Sequence, residues 1–172
     1  MISLRPLDRA EWAAFRDVRL EALRAEPRAF SASPEAWAAR PPRDWQDLIS
    51  GDGHQAFGLF DDGRLVGITG VVTAKEDPSG RTALLVMSYL PSAYRGRGFS
   101  RLFYEARLEW VRSRGTFTSV VVSHRESNEA SRRANRRHGF LFTHAVSRDW
   151  PDGTTEQELF YALSVPPPVR PL

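Results

Sequence analysis

The stretch LLVMSYLPSAYRGRGFSRLF, residues 84–103, decides the fold of this chain. Its first part is apolar and as long as a buried strand, and its last part has the spacing of an amphipathic helix. Between them, Arg95 and Arg97 alternate with Gly96 and Gly98 where the helix must begin. The first N–H groups of a helix have no intrahelical acceptor, and glycine lets a ligand approach the backbone closely. The segment therefore predicts an anion site of the kind that binds phosphate.

Two common phosphate-binding loops do not fit this segment. A P-loop requires a lysine after its last glycine, and the only lysine of the chain, Lys75, lies upstream. The dinucleotide fingerprint GxGxxG requires a third glycine where this chain has Arg101. It also requires an acidic residue at the end of the next strand, and residues 117–122 contain none. The predicted ligand is therefore neither NAD nor the γ-phosphate of ATP.

Two motifs of the chain resemble the GNAT superfamily of acyl-CoA-dependent N-acetyltransferases. In that family the loop Arg/Gln-x-x-Gly-x-Gly/Ala follows the fourth strand and binds the pyrophosphate of coenzyme A. Arg95, Gly98 and Ser100 occupy its three positions, and Ser100 departs mildly from the small-residue rule. In the second motif an asparagine opens a helix and a Gly-Phe pair closes it, as do Asn128, Gly139 and Phe140. The resemblance covers residues 64–163.

The resemblance implies an α/β fold, with a mixed, mostly antiparallel sheet of six to seven strands flanked by about four helices. Apolar spacing and turn residues predict strands at 2–7, 55–60, 64–74, 82–90, 117–123, 140–148 and 155–163. They predict helices at 8–25, 33–49 with an interruption at Pro41 and Pro42, 99–115 and 128–138. We expect one domain over residues 1–165 and a proline-rich tail at 166–172.

The composition is that of a globular domain. The chain has 172 residues, no cysteine and a formal net charge of +3. Without cysteine it has neither a disulfide framework nor a thiolate nucleophile. No apolar run reaches the length of a membrane span, and no signal-peptide pattern opens the chain. From the sequence alone we expect a cytoplasmic protein, and a homodimer is compatible with it.

The resemblance also implies which residues contact acetyl-CoA. Backbone N–H groups of the loop would hold its pyrophosphate, and they belong to Gly96, Arg97, Gly98, Phe99 and Ser100. Arg95 and Arg101 would add positive charge. In the family the pantetheine arm lies beside the strand before the loop, which here ends at Tyr89 and Leu90. The Leu90 N–H would then polarise the acetyl carbonyl, which makes Leu90 a catalytic candidate.

The helix of the second motif supplies the candidates for the proton donor. Asn128 fits a helix N-cap, and the family's asparagine also binds the pantetheine arm. Many members carry, seven residues later, a tyrosine that protonates the departing thiolate. Here that position is Asn135, whose carboxamide is no acid but could donate a hydrogen bond to the sulfur. Ser131 lies one turn earlier on the same face, where acetyltransferases of ribosomal-protein N-termini often carry serine. We take Ser131 as the candidate acid, with a packed helix serine as the alternative.

The general base and the acceptor are left open by the sequence. Glu26, Glu76, Glu158 or one of the four histidines could deprotonate an amine, directly or through water. The histidines show no metal-ligand spacing, so no metal site is predicted; they are His54, His124, His138 and His144. Glutamates in the segments that form the family's acceptor site suggest a cationic amine, and solvated helix faces explain them equally: Glu21, Glu26, Glu35, Glu156 and Glu158.

The expected function is acetyl transfer from acetyl-CoA to a primary amine, which attacks the thioester directly in a ternary complex. Two alternatives are kept. Since the usual tyrosine is missing, the chain could be an acyl-CoA sensor that does not catalyse. It could also bind nucleic acid through a basic cluster on the last helix, which comprises Arg125, Arg132, Arg133, Arg136 and Arg137. The modest net charge and the nearby Glu126 and Glu129 weaken this second alternative.

Overall fold

A computed structural model describes residues 1–166 of the chain. The proline-rich tail predicted for 166–172 lies, except for Pro166, outside the described residues. In the described part, no helix is both long and apolar enough to cross a membrane.

The N-terminal third contains one edge strand and three helices. Strand β1 is Ile2–Pro6 and helix α1 is Trp12–Ala25, preceded by a 3-10 turn at Arg9–Glu11. Asp8 caps that turn in a capping box, so the α-helix begins four residues later than the predicted start at residue 8. The predicted helical region at 33–49 is two helices, α2 at Pro34–Ala38 and α3 at Pro42–Ile49. A proline occupies the first position of each, where its missing N–H costs nothing.

The remaining elements are seven strands and two helices. They are β2 (Ser50–Gly51), β3 (His54–Asp61), β4 (Arg64–Thr73), β5 (Thr82–Tyr89), α4 (Phe99–Arg114), β6 (Ser119–Arg125), α5 (Glu129–Arg137), β7 (Leu141–Asp149) and β8 (Thr155–Ser164). Strand β6 lies two residues further along the chain than the predicted 117–123. Polar residues His124 and Arg125 continue this strand because they pair with Leu159 and Glu158 of β8.

The strands form a single mixed sheet in the order β1-β3-β4-β5-β6-β8-β7, and the short β2 pairs with β3. All neighbours are antiparallel except β5 and β6. The predicted sheet of six to seven strands corresponds to this path of seven, and β2 makes an eighth. Five helices take the place of the predicted four, since the interruption at Pro41 divides one of them.

Side chains on the two faces of the sheet pack into separate cores. On β3, Phe57 packs in a cluster with Tyr104 and Leu108 of α4, while Phe60 packs with Phe15 of α1 and Trp45 of α3. This alternation along one strand follows from the two-residue period of β structure. Helices α1 and α3 therefore cover one face, and α4 covers the other.

The parallel pair β5 and β6 is joined along only part of its length. Register partners are Thr82 with Ser119, Ala83 with Val120, and Leu84 with Val121. Beyond them, β5 continues to Tyr89 on β4 and β6 continues to Arg125 on β8. The two strands thus diverge at the middle of the sheet, and we call the gap beyond Leu84 and Val121 the split.

Candidate active site

The loop between β5 and α4, residues 95–101, is called the cradle. Gly96 and Gly98 have φ angles of +72° and +83°, a backbone conformation that side chains with a Cβ rarely adopt. The space where a Cβ would lie is open at both glycines. Within residues 1–166, the backbone N–H groups of residues 96–100 have no hydrogen-bond acceptor. Five adjacent donors at a helix N-terminus can bind the oxygens of a pyrophosphate.

The three arginines of the cradle have different surroundings. Arg95 forms an ion pair with Glu26, at the end of α1, and its Nε donates to the Leu90 carbonyl at 2.8 Å. Arg101 lies 3.5 Å from Glu105 one helical turn later, at the surface. Arg97 is exposed and lies over the Phe99 ring at 5.1 Å. Arg95 therefore fastens the cradle to α1, and Arg97 is the cradle arginine without a carboxylate partner in the described structure.

The end of β5 is rotated by a bulge beside the split. Ile68 of β4 pairs with Tyr89, and Gly70 pairs with Val86, so a single β4 residue faces both Met87 and Ser88. Met87 adopts a φ of +59°, which is strained for a residue with a side chain. After the bulge, the Leu90 N–H has no acceptor within residues 1–166. This donor lies on the wall of the cleft above the cradle.

Two hollows lie side by side in this region. The larger, of about 650 Å³, is bordered by the cradle, Leu90 and α5, and we call it the cradle cleft. The smaller, of about 460 Å³, lies in the split and reaches under α1 and α2, and we call it the split cavity. Both are lined by Phe30, Ser88, Tyr104, Arg107, Asn128 and Ser131. A ligand in the cradle cleft and a second ligand in the split cavity would meet at these residues.

Helix α5 presents Asn128, Ser131 and Asn135 toward these hollows. The Asn128 Oδ1 accepts from the Ser131 N–H at 3.1 Å, so the predicted N-cap exists and leaves the amide nitrogen available. Asn135 is buried, and its Oδ1 accepts from the Tyr104 hydroxyl at 2.6 Å. Its Nδ2 has no partner within residues 1–166. Ser131 lines both hollows.

The sequence model of the acetyltransferase (GNAT) family matches residues 12–140, more than half of the chain. The chain belongs to this family. No curated protein sequence matches it significantly. The matched region includes the cradle, the split and α5, which are the parts that carry the geometry described above.

Solved structures with the same fold are GNAT acetyltransferases at low sequence identity. A GNAT-family acetyltransferase from Streptococcus pneumoniae superposes with a TM-score of 0.79 at 15% identity, over 96% of this chain and 100% of that one. The putative acetyltransferase yncA from Salmonella typhimurium, solved with acetyl-CoA, gives 0.76 at 18% identity, over 99% and 98%. An acetyltransferase from Salmonella typhimurium that modifies the N-terminal serine of ribosomal protein L7/L12 gives 0.74 at 17%, over 96% and 95%.

The GNAT domain contains a histidine whose environment suits a base. His124 of β6 is buried beside the split cavity. Its Nδ1 lies 2.7 Å from the Arg125 carbonyl oxygen, which can only accept, so Nδ1 carries the proton. Burial and the nearby Arg132 lower the pKa of His124 below its usual 6.5, which keeps the ring neutral at pH 7. The Nε2 lone pair is thus free, with no partner in residues 1–166.

The other base candidates are less available. Glu26 is paired with Arg95, and Glu158 forms an ion pair with Arg148 at 2.5 Å while accepting from Ser123 at 2.6 Å. Glu76 lines neither hollow, and the same holds for the three other histidines, which are His54, His138 and His144. The described residues contain no cluster of histidine and carboxylate side chains that could hold a metal ion.

The basic cluster considered for nucleic acid does not form one surface. Arg125 is 1% exposed and lies among Asp152, Glu156 and Thr154. Arg132 pairs with Glu129 at 3.5 Å, whereas Arg133 and Arg137 line the cradle cleft. These arginines therefore lie in three separate environments. Arg133 and Arg137 add positive charge to the cradle cleft.

The ion pairs of Arg125 brace one wall of the split cavity. Asp152 and Glu156 lie on the β7–β8 hairpin, and Glu156 also accepts from the Ser127 N–H at 2.6 Å, just before Asn128. The hydroxyl of Thr154 and the guanidinium of Arg125 lower the pKa of Asp152 to about 2. Hydrogen bonds from Ser127 and Arg125 lower the pKa of Glu156 below its usual range. The charged forms of both carboxyls thus fix β6, the hairpin and the start of α5 together.

We expect these carboxylates to make the domain sensitive to acid. Because their pKa values are lower in the folded than in the unfolded chain, their contribution is complete above about pH 4.5 and is lost as the pH falls toward 2. Urea unfolding of wild type and Asp152→Asn between pH 7 and pH 2.5 measures this. The variant should be the less stable protein at pH 7, and the difference in the free energy of unfolding should shrink steadily as the pH falls from about 4.5 to 2.5. A difference that does not change with pH would contradict this role of Asp152.

The sequence did not point to three residues of the site, which are Tyr104, Arg107 and Arg19. A fourth, His124, was predicted only as one of several possible bases. Tyr104 and Arg107 of α4 fall at the apolar spacing of a core-facing helix, and Arg19 falls on the buried face of α1. Tyr104 is mostly buried, and burial raises the pKa of its hydroxyl. Two arginines on the buried faces of amphipathic helices are the pattern that could have revealed them, since arginine is almost never fully buried without a reason. His124 was one of four equivalent histidines until its position on β6 was known.

Proposed function

We propose that this GNAT domain transfers the acetyl group of acetyl-CoA to a primary amine in a ternary complex. The observation that carries the proposal is that the cradle and Leu90, whose N–H is free in the described structure, line one cleft, and that this cleft shares Ser88, Asn128 and Ser131 with the cavity in the split. Acetyl-CoA, when bound, supplies an activated acetyl group on a thioester. The five free N–H groups of residues 96–100 match its pyrophosphate in number and charge. The open space above Gly96 and Gly98 supports the same fit.

The Leu90 N–H is proposed to donate to the acetyl oxygen, which gains negative charge as the amine nitrogen bonds to the carbonyl carbon. A fixed donor at that position stabilises the charge where it develops. Such a donor contributes about 3–4 kcal/mol to the lowering of a barrier in well-studied acyl transfers. Because the group is a backbone N–H, no side chain at position 90 is required for this role.

His124 is proposed to accept the proton of the attacking amine through its free Nε2. An alkylamine with a pKa near 10 is mostly protonated at pH 7, so a neutral base in the split cavity assists the attack. Ser131 is proposed to supply the proton that the sulfur takes up as the carbon–sulfur bond breaks. The Asn135 Nδ2, which Tyr104 holds in place through the Oδ1, is proposed to donate a hydrogen bond to the same sulfur.

Thiol release from acetyl-CoA, measured with a panel of primary amines, tests this function. We expect acetyl-CoA to bind with micromolar affinity and free thiol to appear in proportion to acetylated amine. Binding without amine-dependent thiol release would identify an acyl-CoA sensor instead. Salt-dependent retention on DNA or RNA without binding of acetyl-CoA would contradict both interpretations.

A further inference from the structure

The split cavity contains buried positive charge that no carboxylate neutralises within residues 1–166. Arg19 of α1 is 5% exposed and Arg107 of α4 is 2% exposed, and both line the cavity. Burial lowers the pKa of each guanidinium to about 10, so both are charged at neutral pH. A buried charge is normally paired, because leaving water without compensation costs stability. Arg19 and Arg107 are both exceptions to this rule, and they lie in the same cavity, which indicates a functional role.

Arg107 has neutral partners, whereas Arg19 has almost none. The Arg107 Nε donates to the Phe103 carbonyl at 3.0 Å and its Nη1 donates to the Ser88 hydroxyl at 2.9 Å. In contrast, the Nε and Nη1 of Arg19 are buried and form no hydrogen bond in the described structure. These donors are the largest unmet hydrogen-bonding capacity on the cavity wall.

Aromatic rings hold the Arg19 guanidinium in one place. It lies 4.7 Å from the centre of the Phe30 ring and 4.6 Å from that of Trp37. The guanidinium of Arg40 also lies over the Trp37 ring, 4.2 Å from its centre. Ring faces attract the cation but accept no hydrogen bonds from the edge of the guanidinium. The arrangement therefore fixes, at the cavity wall, a charged guanidinium whose hydrogen-bonding capacity is unmet in the described structure.

The remaining charged groups of the cavity do not favour a cation. Arg125 is neutralised by Asp152 and Glu156, and Glu158 is engaged by Arg148. The other glutamates that suggested a cationic amine are also engaged: Glu21 by the Tyr89 hydroxyl, Glu26 by Arg95 and Glu35 by the Ser33 hydroxyl. Among the described residues that line the cavity, Arg19 and Arg107 have no carboxylate partner. The one lining carboxylate, Glu158, is paired with Arg148, although its Oε2 makes no hydrogen bond.

We propose that Arg19 binds an oxyanion of the acceptor, so that the acceptor is a small amine which also carries a carboxylate or a related oxyanion, as amino acids do. This inference rests on the proposed function, because it specifies the second substrate of that reaction. A planar guanidinium recognises carboxylate and phosphonate oxygens in the same bidentate way. The apolar walls formed by Leu48, Val72 and Met87 accommodate the aliphatic part of such a molecule in about 460 Å³.

Matched acceptors test this assignment. Leucine, methionine and phenylalanine are each compared with the amine that lacks the carboxylate and with the analogue that carries a phosphonate in its place. In wild type we expect kcat/KM to be at least about 10-fold higher for acceptors with an oxyanion than for acceptors without one. This factor corresponds to the contribution of one charge-assisted hydrogen bond. Arg19→Met should remove the preference through a higher KM, and Arg19→Lys should retain part of it. The carboxylate and phosphonate series separate the two sources of the oxyanion.

Arg40→Met is the matched control, since it removes a guanidinium from the same indole ring but outside the cavity. Arg40→Met should keep the higher kcat/KM for acceptors that carry an oxyanion. All variants should bind acetyl-CoA as wild type does. Equal kcat/KM values with and without the oxyanion in wild type, or a preference that survives in Arg19→Met, would overturn the proposal. Acylation only of peptide amines, with no discrimination by small oxyanions, would overturn it as well.

A thermal measurement tests Arg19 without turnover. Removing an unpaired buried charge should raise the Tm of Arg19→Met by about 2–4 °C, whereas a structural role would lower it. In the presence of coenzyme A, one of the three amino acids at millimolar concentration should raise the Tm of wild type but not of Arg19→Met. If acetyl-CoA binds but no amine is acetylated, the proposed function fails, and this ligand-induced shift still decides the oxyanion site by itself.

Discussion

Gly98→Trp is expected to abolish the binding of acetyl-CoA, raising its Kd by about 100-fold or more. Gly98 precedes α4 with a φ of +83° and has open space where a side chain would project. An indole there would cover the N–H groups that face the pyrophosphate. Each charge-assisted hydrogen bond contributes about 1.5–3 kcal/mol, so the loss of two of them accounts for this factor. Isothermal titration of wild type and variant with acetyl-CoA measures it.

Gly63→Trp provides the control for backbone strain. Gly63 has a φ of +80° and equally open surroundings, but it lies in the β3–β4 turn, away from both hollows. The two variants should lose comparable stability in thermal melts, and Gly63→Trp should still bind acetyl-CoA. Retention of micromolar affinity by Gly98→Trp would mean that the cradle does not hold the pyrophosphate.

His124→Gln is expected to lower kcat/KM by about 100-fold at pH 7.5, the lower range for removing a general base. Glutamine fills most of the space of the imidazole but cannot accept a proton near neutral pH. Since burial lowers the folded-state pKa of His124 below its usual 6.5, the wild-type base is neutral at pH 7 and becomes protonated only below that lowered pKa. The ratio of wild-type to variant kcat/KM should therefore be constant around and above pH 7, and it should fall toward one only at pH values below the lowered pKa of His124.

His144→Gln is the matched histidine control. His144 lies on the exposed strand β7, stacks on Phe160 at 4.6 Å and lines neither hollow. Its kcat/KM should equal that of wild type at every pH, and both variants should bind acetyl-CoA unchanged. A His124→Gln variant with wild-type turnover, or a ratio independent of pH, would exclude His124 as the base and return attention to Glu158.

The cradle and the second motif were predictable because their information is local. Alternating glycines before an amphipathic helix, and an asparagine at the start of another, determine backbone geometry within a few residues. The mixed, mostly antiparallel sheet followed from the family resemblance and is confirmed. The bulge at Met87 was not predictable, because a positive φ is usually marked by glycine or asparagine and this position has neither.

The partners of the site residues were beyond the sequence because they come from distant segments. Glu26 and Arg95 are in contact although they are 69 residues apart in the sequence, and Tyr104 and Asn135 are in contact although they are 31 residues apart. Arg19 depends on a loop and a short helix that place Phe30 and Trp37 against its guanidinium. Such contacts arise only when the whole sheet is assembled. They also changed the expected acceptor, since the glutamates that suggested a cation are engaged by protein groups.

The short ladder between β5 and β6 makes the centre of the sheet its weakest line of backbone pairing. Five strands lie on one side and three on the other. In the described structure, main-chain pairing connects them at residues 82–84 and 119–121, and the Arg81 carbonyl also accepts from the N–H groups of Thr118 and Ser119. Amides at the ends of both strands should therefore exchange with solvent deuterium faster than those of β3 and β4. A pantetheine arm lying in the split would connect the two halves of the sheet where β5 and β6 no longer pair. Slower exchange at the end of β5 on adding coenzyme A would then report cofactor binding as a change in the cooperativity of the whole domain.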